Sequence, residues 1–342
     1  MKKRDKIILV IIFFIVGLLI LEEILPIGNG NWNEKQINKI NSENNSDNFC
    51  FAVMGDNKNG FSTFNGIIDD VNKKKPLFAI DVGDLVYDGE KGKYRIFYDT
   101  ILRSRVPFLV GIGNHDITEQ GRANYFDIFG NFYYSFSYNN SLFIILDNAN
   151  QINIDSQQMK FLDDELKKNF ENKFVFMHVP PFDPREYVKI FGVNHSVEHS
   201  MSDQENSKEF MDLVSKYNVT NVFTSHIHGY FNETRENISY IITGGAGGEM
   251  ITADPQHYFY HYMNTCVNGK NVTYNVVKFK SPGQTSIDRL AYTGWLYFSY
   301  FVVVNKYQIL VIILFLGLIW DIFHKEIKEF LKNFRIKKTS NL

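Results

Sequence analysis

The sequence has few cysteines and little net charge. Cys50 and Cys266 are the only cysteines among 342 residues, which excludes a disulfide-dense scaffold and a zinc site made of several cysteines. The formal net charge is −2, and the basic residues cluster at the two ends of the chain, so nucleic acid is not an expected partner. Each cysteine lies in a strand-like run. The pair forms a disulfide if these runs are neighbours in an oxidising compartment; otherwise both are small buried hydrophobic residues.

Two long apolar blocks lie near the ends of the chain. The first, residues 7–25, follows the basic segment 1–6 and favours an uncleaved membrane anchor over a signal peptide, because a convincing cleavage site is missing. The second, residues 304–323, precedes the basic segment 324–342. Since basic flanks stay in the cytoplasm, two spans place both termini inside. The predicted location is therefore the cell membrane, with an extracytoplasmic domain.

The chain between these blocks divides into three parts. Residues 26–48 are rich in Asn, Ser, Gly and charged residues, which is typical of a linker. Residues 49–281 have the length of one catalytic domain, and residues 282–303 are expected to form a linker and interfacial segment. Within the catalytic domain, short apolar runs alternate with helix-like stretches, which predicts an α/β fold. Two runs flanking Asn268 and Gly269 predict a β-hairpin.

Polar residues of metal-ligand types follow most of the predicted strands. They are Asp56, Asp84, Asn114, His115, His178, His226 and His228, which come just after the runs 51–54, 77–82, 108–112, 174–177 and 222–224. In an open α/β sheet the carboxyl ends of the strands line one crevice, where ligands bind. Carboxylate, amide and imidazole ligands together suit two transition-metal ions. The sequence thus predicts a metal centre at this edge of the sheet.

The segments that carry these residues resemble the signature motifs of the calcineurin-like metallophosphoesterase superfamily in their order and separation. They are Gly55-Asp56, Gly83-Asp84, Gly113-Asn114-His115-Asp116, His178 and His226-Ile227-His228. A single Gly-Asp pair is weak evidence, whereas five motifs in order are strong. The resemblance implies a four-layer α/β/β/α sandwich, here flanked by two transmembrane helices. It also implies hydrolysis of phosphoesters at two metal ions, for which Fe, Mn and Zn are the candidates.

The resemblance assigns the residues to metal, catalytic and substrate roles. Asp84 is expected to bridge two metals, with the first completed by Asp56 and His228 and the second by Asn114, His178 and His226. His115 is expected to stabilise the transition state or to protonate the leaving oxygen, and Asp116 to orient it. The expected substrate contacts are Lys58, Asn114 and His115.

One position departs from the family pattern. The family's first motif has the form Asp-x-His, whereas this chain has Asp56-Asn57-Lys58, and a charged lysine cannot bind a metal. In one interpretation Tyr87 supplies a phenolate, as in the similar site of purple acid phosphatases, and a phenolate favours trivalent iron. In another the first metal site is weak and Lys58 is a point charge for substrate phosphate. In a third, Lys58 is a solvated loop residue and Tyr87 a packing residue.

These features predict a hydrolase that cleaves a phosphomonoester or phosphodiester outside the cytoplasm and contacts the lipid bilayer through its terminal helices. An envelope or lipid-linked phosphate is the expected substrate, by analogy with membrane-tethered relatives. The sequence gives no sign of an obligate protein partner. The alternative is a catalytically weak surface-binding protein that retains the phosphoesterase fold. Metal content separates the two hypotheses, because only the enzyme requires two metals per chain.

Overall fold

The computed structural model describes residues 3–44, 46–185, 188–190, 193–195, 198–250, 252, 254–281 and 285–339, with the backbone alone at 3, 188–190, 193–195, 286, 325–327 and 329–339. The chain divides into two compact units, Ile27–Tyr300 and the two ends Met1–Pro26 with Phe301–Leu342. The helices are α1 (Lys3–Ile24), α2 (Trp32–Ser42), α3 (Phe61–Lys74), α4 (Lys91–Ile101), α5 (Gly121–Phe129), α6 (Ser156–Leu166), α7 (Gln204–Lys216), α8 (Ser286–Val304) and α9 (Lys306–Thr339). The strands are β1 (Asn48–Met54), β2 (Phe78–Asp81), β3 (Phe108–Val110), β4 (Tyr134–Tyr138), β5 (Ser141–Ile145), β6 (Asn172–Phe176), β7 (Val188–Ile190), β8 (Val193–His195), β9 (Asn221–Thr224), β10 (Tyr230–Arg235), β11 (Ile238–Thr243), β12 (His261–Asn268) and β13 (Asn271–Lys278).

The unit formed by the chain ends consists mainly of α1 and α9, which contact each other. Within the described residues, Arg4–Ile24 and Lys306–His324 are long and apolar enough to cross a membrane by length and composition. Only 6% of the most apolar 18-residue stretch of each helix is buried. A core helix of a folded domain buries most of its apolar side chains, so neither helix has that character.

The central unit contains two large mixed sheets. The first has the strand order β13-β12-β1-β2-β3 and the second the order β10-β11-β9-β6-β5-β4. Strands β1, β2 and β3 are parallel, as are β5, β6 and β9. Because their residues are buried on both faces, these strands appear in the sequence as continuous apolar runs. The predicted α/β class is therefore confirmed, with two large sheets and the short pair β7-β8 among the described residues.

Three of the four apolar clusters in the described part of the chain hold the sheets and helices together. One joins phenylalanines of both sheets, and the rings of Phe51 on β1 and Phe174 on β6 lie 5.1 Å apart. The second joins the first sheet to α3, α4 and α5. The third joins the second sheet to α6 and α7. The two sheets thus share an aromatic core, and each also packs against its own helices.

The cysteines lie opposite each other on two neighbouring strands. Cys50 on β1 is paired in register with Cys266 on the antiparallel strand β12, and the two form a disulfide across 216 residues of sequence. Of the two sequence interpretations, the disulfide is therefore the one observed. Strand β12 continues into β13 through Gly269, whose φ is +57°, and this confirms the predicted hairpin.

The prediction of a linker over residues 26–48 is wrong for Trp32–Ser42, which form α2. The indole of Trp32 donates a hydrogen bond to the Phe108 carbonyl at 2.7 Å, and the Asn33 amide both donates to and accepts from the backbone of Val110. Ile40 is fully buried among core residues of both sheets. The polar composition misled because the buried side of α2, which contacts β3, itself includes the polar residues Asn33 and Gln36. Residues 286–303, also predicted as a linker with an interfacial segment, belong to α8.

Candidate metal and active site

Five loops at the carboxyl ends of strands bring the predicted ligands together. Three of the ligands, Asp56, Asp84 and His226, have left-handed backbones with φ of 58°, 57° and 65°. Such conformations cost non-glycine residues about 1 to 3 kcal/mol each and cluster at functional sites. The neighbouring Gly113 is needed for a different reason. A Cβ atom there would lie 2.2 Å from the Asp84 nitrogen, so only glycine allows the two loops to approach.

A first group of ligands contains Asp56, Asp84 and His228. One ligand atom from each residue lies within 4.8 Å of the others. Both carboxylate oxygens of Asp56 are buried and have no hydrogen-bond partner in the described part of the chain. The Nδ1 atom of His228 contacts the Glu249 carbonyl at 2.6 Å. Because a carbonyl only accepts, Nδ1 carries a proton, and the lone pair of Nε2 is left for a ligand.

A second group shares Asp84 with the first. The Asn114 Oδ1 atom lies 3.0 Å from His178 Nε2 and 2.9 Å from His226 Nδ1. His178 Nε2 is also 3.3 Å from Asp84 Oδ1. The other nitrogen of His178 is held by the Ser225 hydroxyl at 2.9 Å. Two imidazole nitrogens, an amide oxygen and a carboxylate oxygen thus converge, and Asp84 belongs to both groups.

The electrostatics of the two groups favour bound cations. Burial lowers the pKa of His226 well below its usual value and that of His228 to about 4, so both rings are neutral, as metal ligands must be. Burial and the charge of Asp84 raise the pKa of Asp56. Burial also acts to raise the pKa of Asp84, but His178, His115 and Lys58 outweigh it and hold that pKa well below the usual range. A cation beside Asp56 would supply the positive charge that its unpaired oxygens lack, so these residues fit metal ions.

His115 lies at the edge of this constellation and is partly exposed. Its Nε2 atom is 3.9 Å from Asp84 Oδ2, and its Nδ1 atom lies 2.7 Å from the Tyr87 carbonyl. The prediction that Asp116 orients His115 is wrong. Asp116 is buried and accepts hydrogen bonds from the backbone amides of Gly113 at 2.8 Å and Val86 at 3.1 Å. It therefore shapes the loop, and the Tyr87 carbonyl fixes the imidazole ring.

Lys58 is buried beside the first group, which contradicts its interpretation as a solvated loop residue. Its ammonium nitrogen lies 2.8 Å from Glu249 Oε1, and its side chain is only 4% exposed. Burial acts to lower the pKa of Lys58, but Glu249 and Asp84 outweigh burial and raise it, so the side chain stays charged. The same nitrogen lies 5.7 Å from the centroid of the Tyr87 ring. Tyr87 itself packs against Tyr297 and Tyr300 of α8, with ring centroids 5.2 and 5.9 Å apart.

Four residues near the site were not among the predicted site residues. Glu249 follows the glycine cluster 244–248 and had no motif of its own to mark it. The His199 ring lies 5.5 Å from that of His226, although its stretch of sequence is irregular. Tyr297 and Tyr300 lie far along the chain from every motif. Only the glycine cluster after β11 gave any signal, since such clusters often mark a close approach of backbone.

A family model described as calcineurin-like phosphoesterase matches residues 50–230, which contain every predicted site residue. The chain belongs to this family. It is 26% identical over 198 residues to a protein of Arcobacter nitrofigilis named "Probable glycerophosphodiester phosphodiesterase GpdQ", a match that covers 53% of this chain and 67% of that relative. The purple acid phosphatase PPD1 of yellow lupin, Lupinus luteus, shares its fold with a TM-score of 0.52 at 16% identity. That match covers 72% of this chain and 55% of the lupin enzyme. Membership in this family makes the chain a metal-dependent phosphoester hydrolase.

Proposed function

We propose that this phosphoesterase works with two metal ions that share the carboxylate of Asp84. The observation that carries the proposal is the position of Asp84, which lies close to Asp56 and His228 and has its Oδ1 atom 3.3 Å from His178 Nε2. A carboxylate has two oxygens, so it can hold two cations at the separation of about 3.5 to 4 Å found in two-metal hydrolases.

Each metal has its own set of ligands under this proposal. Asp56, Asp84 and His228 would hold the first, and Asp84, Asn114, His178 and His226 the second. Such ions would supply a water of lowered pKa and positive charge beside the phosphoryl oxygens. The mixed oxygen and nitrogen donors suit Fe, Mn or Zn.

The remaining residues act on the substrate. His115 holds a proton on Nδ1 through the Tyr87 carbonyl, so its Nε2 atom is free to carry a second proton toward the reaction. From the edge of the Asp84 group it hydrogen-bonds a phosphoryl oxygen or protonates the leaving alcohol. The Asn114 amide contacts the phosphoryl group beside it.

The replacement of the family's histidine by Lys58 has two explanations. Tyr87 can complete the first metal as a phenolate, which its position next to Lys58 and His115 supports. Alternatively, Lys58 neutralises substrate phosphate, which its retained charge supports. The pairing of Lys58 with Glu249 weakens the second role, because a paired ammonium is less available to substrate.

The proposal extends to the location and the substrate. The disulfide between Cys50 and Cys266 supports an extracytoplasmic catalytic domain, because disulfides persist in oxidising compartments. The apolar helices α1 and α9 support a membrane anchor at each end. The name of the Arcobacter relative favours a phosphodiester substrate. The three apolar clusters support an α/β/β/α order of layers.

The test is the Asp84→Asn variant. Removing one charge shared by both metals should lower the metal content, measured by elemental analysis, and the hydrolysis of bis(4-nitrophenyl) phosphate together. Asp81→Asn is the matched control, because Asp81 is equally buried but bonds to Asn57 and Gly83. Two tightly bound metals per chain in Asp84→Asn would rule out the shared carboxylate.

A further inference from the structure

Helix α8 exposes large apolar side chains at the surface of the central unit, Ile27–Tyr300. This unit carries the candidate active site and is called the catalytic unit below. Ile287, Leu290, Trp295 and Phe298 are 74%, 63%, 63% and 57% exposed. At 100° per residue, these positions share one side of the helix. A surface helix of a soluble domain normally exposes its polar side instead. These four residues define the apolar outer side of α8. An exposed apolar surface of this kind is typical of a site that contacts a protein or a membrane.

The opposite side of α8 is fixed to the catalytic unit. The Arg289 guanidinium donates to the Tyr258 carbonyl at 3.2 Å. Tyr300 is buried, and its ring lies 6.1 Å from that of Phe61. The Tyr297 hydroxyl hydrogen-bonds with Tyr87 and Glu249. These contacts set which side of the helix faces outward, so the apolar outer side does not result from a detached helix.

The chain itself indicates what covers the apolar outer side. Helix α8 ends at Val304, and only Asn305 separates it from α9, whose segment Lys306–His324 is apolar enough to cross a membrane. Tryptophan, phenylalanine and leucine on one side are typical of helices that lie in a bilayer surface. Tryptophan in particular favours the level of the lipid headgroups. A bilayer is thus the occupant that the continuity of the chain and the composition of the face both favour.

The inner side of the same helix borders the metal site. Tyr297 and Tyr300 flank Tyr87, and the ammonium nitrogens of Lys58 and Lys93 lie 5.7 and 5.6 Å from the Tyr87 ring. A helix with its side chains is about 10 to 12 Å across. A bilayer against the outer side would therefore place lipid phosphates within about one helix diameter of Tyr87.

We propose that α8 lies in the bilayer surface and that the metal site hydrolyses phosphoesters of membrane lipids. This inference rests on the proposed function and adds the substrate class. In the reaction water adds across one P–O bond: the oxygen of water stays on phosphorus, and the leaving alcohol takes a proton. The outer side of α8 holds the site at the height of the lipid phosphate, and Tyr297 and Tyr300 form the wall on the membrane side.

The first experiment compares lipid and soluble substrates with the full chain in proteoliposomes. The variants are Trp295→Glu and Phe298→Glu, and the matched controls are Leu102→Glu and Ile152→Glu, whose native side chains are 54% and 52% exposed on the catalytic unit. The lipids are phosphatidic acid and phosphatidylglycerol, and the soluble ester is bis(4-nitrophenyl) phosphate. We expect kcat/KM for a lipid to fall roughly tenfold or more in the two α8 variants, since a buried charge opposes contact with the bilayer. Soluble hydrolysis should stay at the wild-type rate in all four.

The second experiment locates the apolar outer side directly. The cysteine of Phe298→Cys is labelled with bimane, and Leu102→Cys provides the control; Cys50 and Cys266 are already joined. Brominated acyl chains should quench the label at 298 and not the label at 102. A label at 298 that is shielded from iodide yet unaffected by brominated lipid would show that a second copy or another protein covers α8, and would overturn the inference.

The outcomes also separate this inference from the proposed function. If wild type hydrolyses the soluble ester but no lipid, or if the α8 variants match their controls on lipid, the inference is wrong and the hydrolase stands. If the metal-loaded wild type hydrolyses neither ester, the proposed function fails as well.

Discussion

At the residue scale, His115 combines a fixed ring with an accessible nitrogen. The Tyr87 carbonyl holds Nδ1 at 2.7 Å, while Nε2 faces Asp84 at 3.9 Å. The His115 side chain is not among those of either ligand group, and the hydrogen bond from His115 to Asp84 Oδ1, at 2.9 Å, comes from its backbone amide. Its chemistry is therefore separable from metal binding, which the following substitution uses.

The variant His115→Ala should keep its metals and lose turnover. We expect kcat to fall by about 10² to 10⁴, the range for a lost general acid, with the largest loss for esters of poor leaving groups. Elemental analysis and steady-state kinetics measure the two effects. His257→Ala is the control, because the His257 ring stacks on Phe231 outside the ligand groups. Loss of metal from His115→Ala would contradict the assignment.

Colour and kinetics distinguish the phenolate role of Tyr87 from the substrate-binding role of Lys58. A phenolate bound to trivalent iron absorbs visible light, so the aerobic iron-loaded protein should be coloured and Tyr87→Phe should bleach it and lower its activity. Tyr297→Phe, which removes a neighbouring hydroxyl, should leave the colour. If wild type is colourless but active with Mn or Zn, the phenolate role is wrong. In that case Lys58→Ala should raise KM with metal content unchanged, because a lysine contact binds ground state and transition state alike.

At the element scale, the strands and their carboxyl ends follow directly from sequence. Runs such as Phe51–Met54 are buried on both sides, so their composition alone marks them as strands. The candidate ligands follow these strands directly in the sequence. Because the carboxyl ends of parallel strands meet at one edge of a sheet, the candidate ligands come together there. Helix α2 lacks such a signature. Its buried residues Asn33, Gln36 and Ile40 include two polar ones, and Asn33 bonds to Val110, on a strand distant in the sequence.

The packing of α2 predicts a stability effect that a linker would not show. Ile40→Ala should lower the free energy of unfolding by about 2 to 5 kcal/mol, the range for a large apolar side chain removed from a core. Asn38→Ala, on the exposed side of α2, should change it by less than about 0.5 kcal/mol. Guanidinium unfolding of the detergent-solubilised chain measures both. Equal stability of the two variants would show that α2 does not contribute to the core.

At the scale of the whole molecule, the disulfide and the apolar ends bear on location together. Cys50 and Cys266 close a loop that contains every proposed metal ligand. The basic segments 1–6 and 324–342 flank the apolar helices on their terminal sides. An oxidising compartment for the domain and a cytoplasmic location for both ends are consistent with each other.

Protease added to spheroplasts tests this topology. The catalytic unit should be degraded, whereas an epitope after Lys325 should survive until the membrane is permeabilised. A cytoplasmic marker protein that stays intact is the control for leakage. A protected catalytic unit with a cleaved tail would reverse the topology.

The sequence by itself determined the family, the α/β class and the candidate ligands, because these depend on local runs of residues and the short motifs that follow them. The motifs name Asp56, Asp84, Asn114, His178, His226 and His228 as candidates without any knowledge of contacts. Tertiary structure decided what depends on neighbours distant in the sequence. Such neighbours pair Cys50 with Cys266, bury Lys58 against Glu249 and place Tyr297 beside Tyr87. They also leave Asp116 bonded to backbone amides rather than to His115. A side chain's partners follow from the packing of whole elements, and no local pattern encodes that packing.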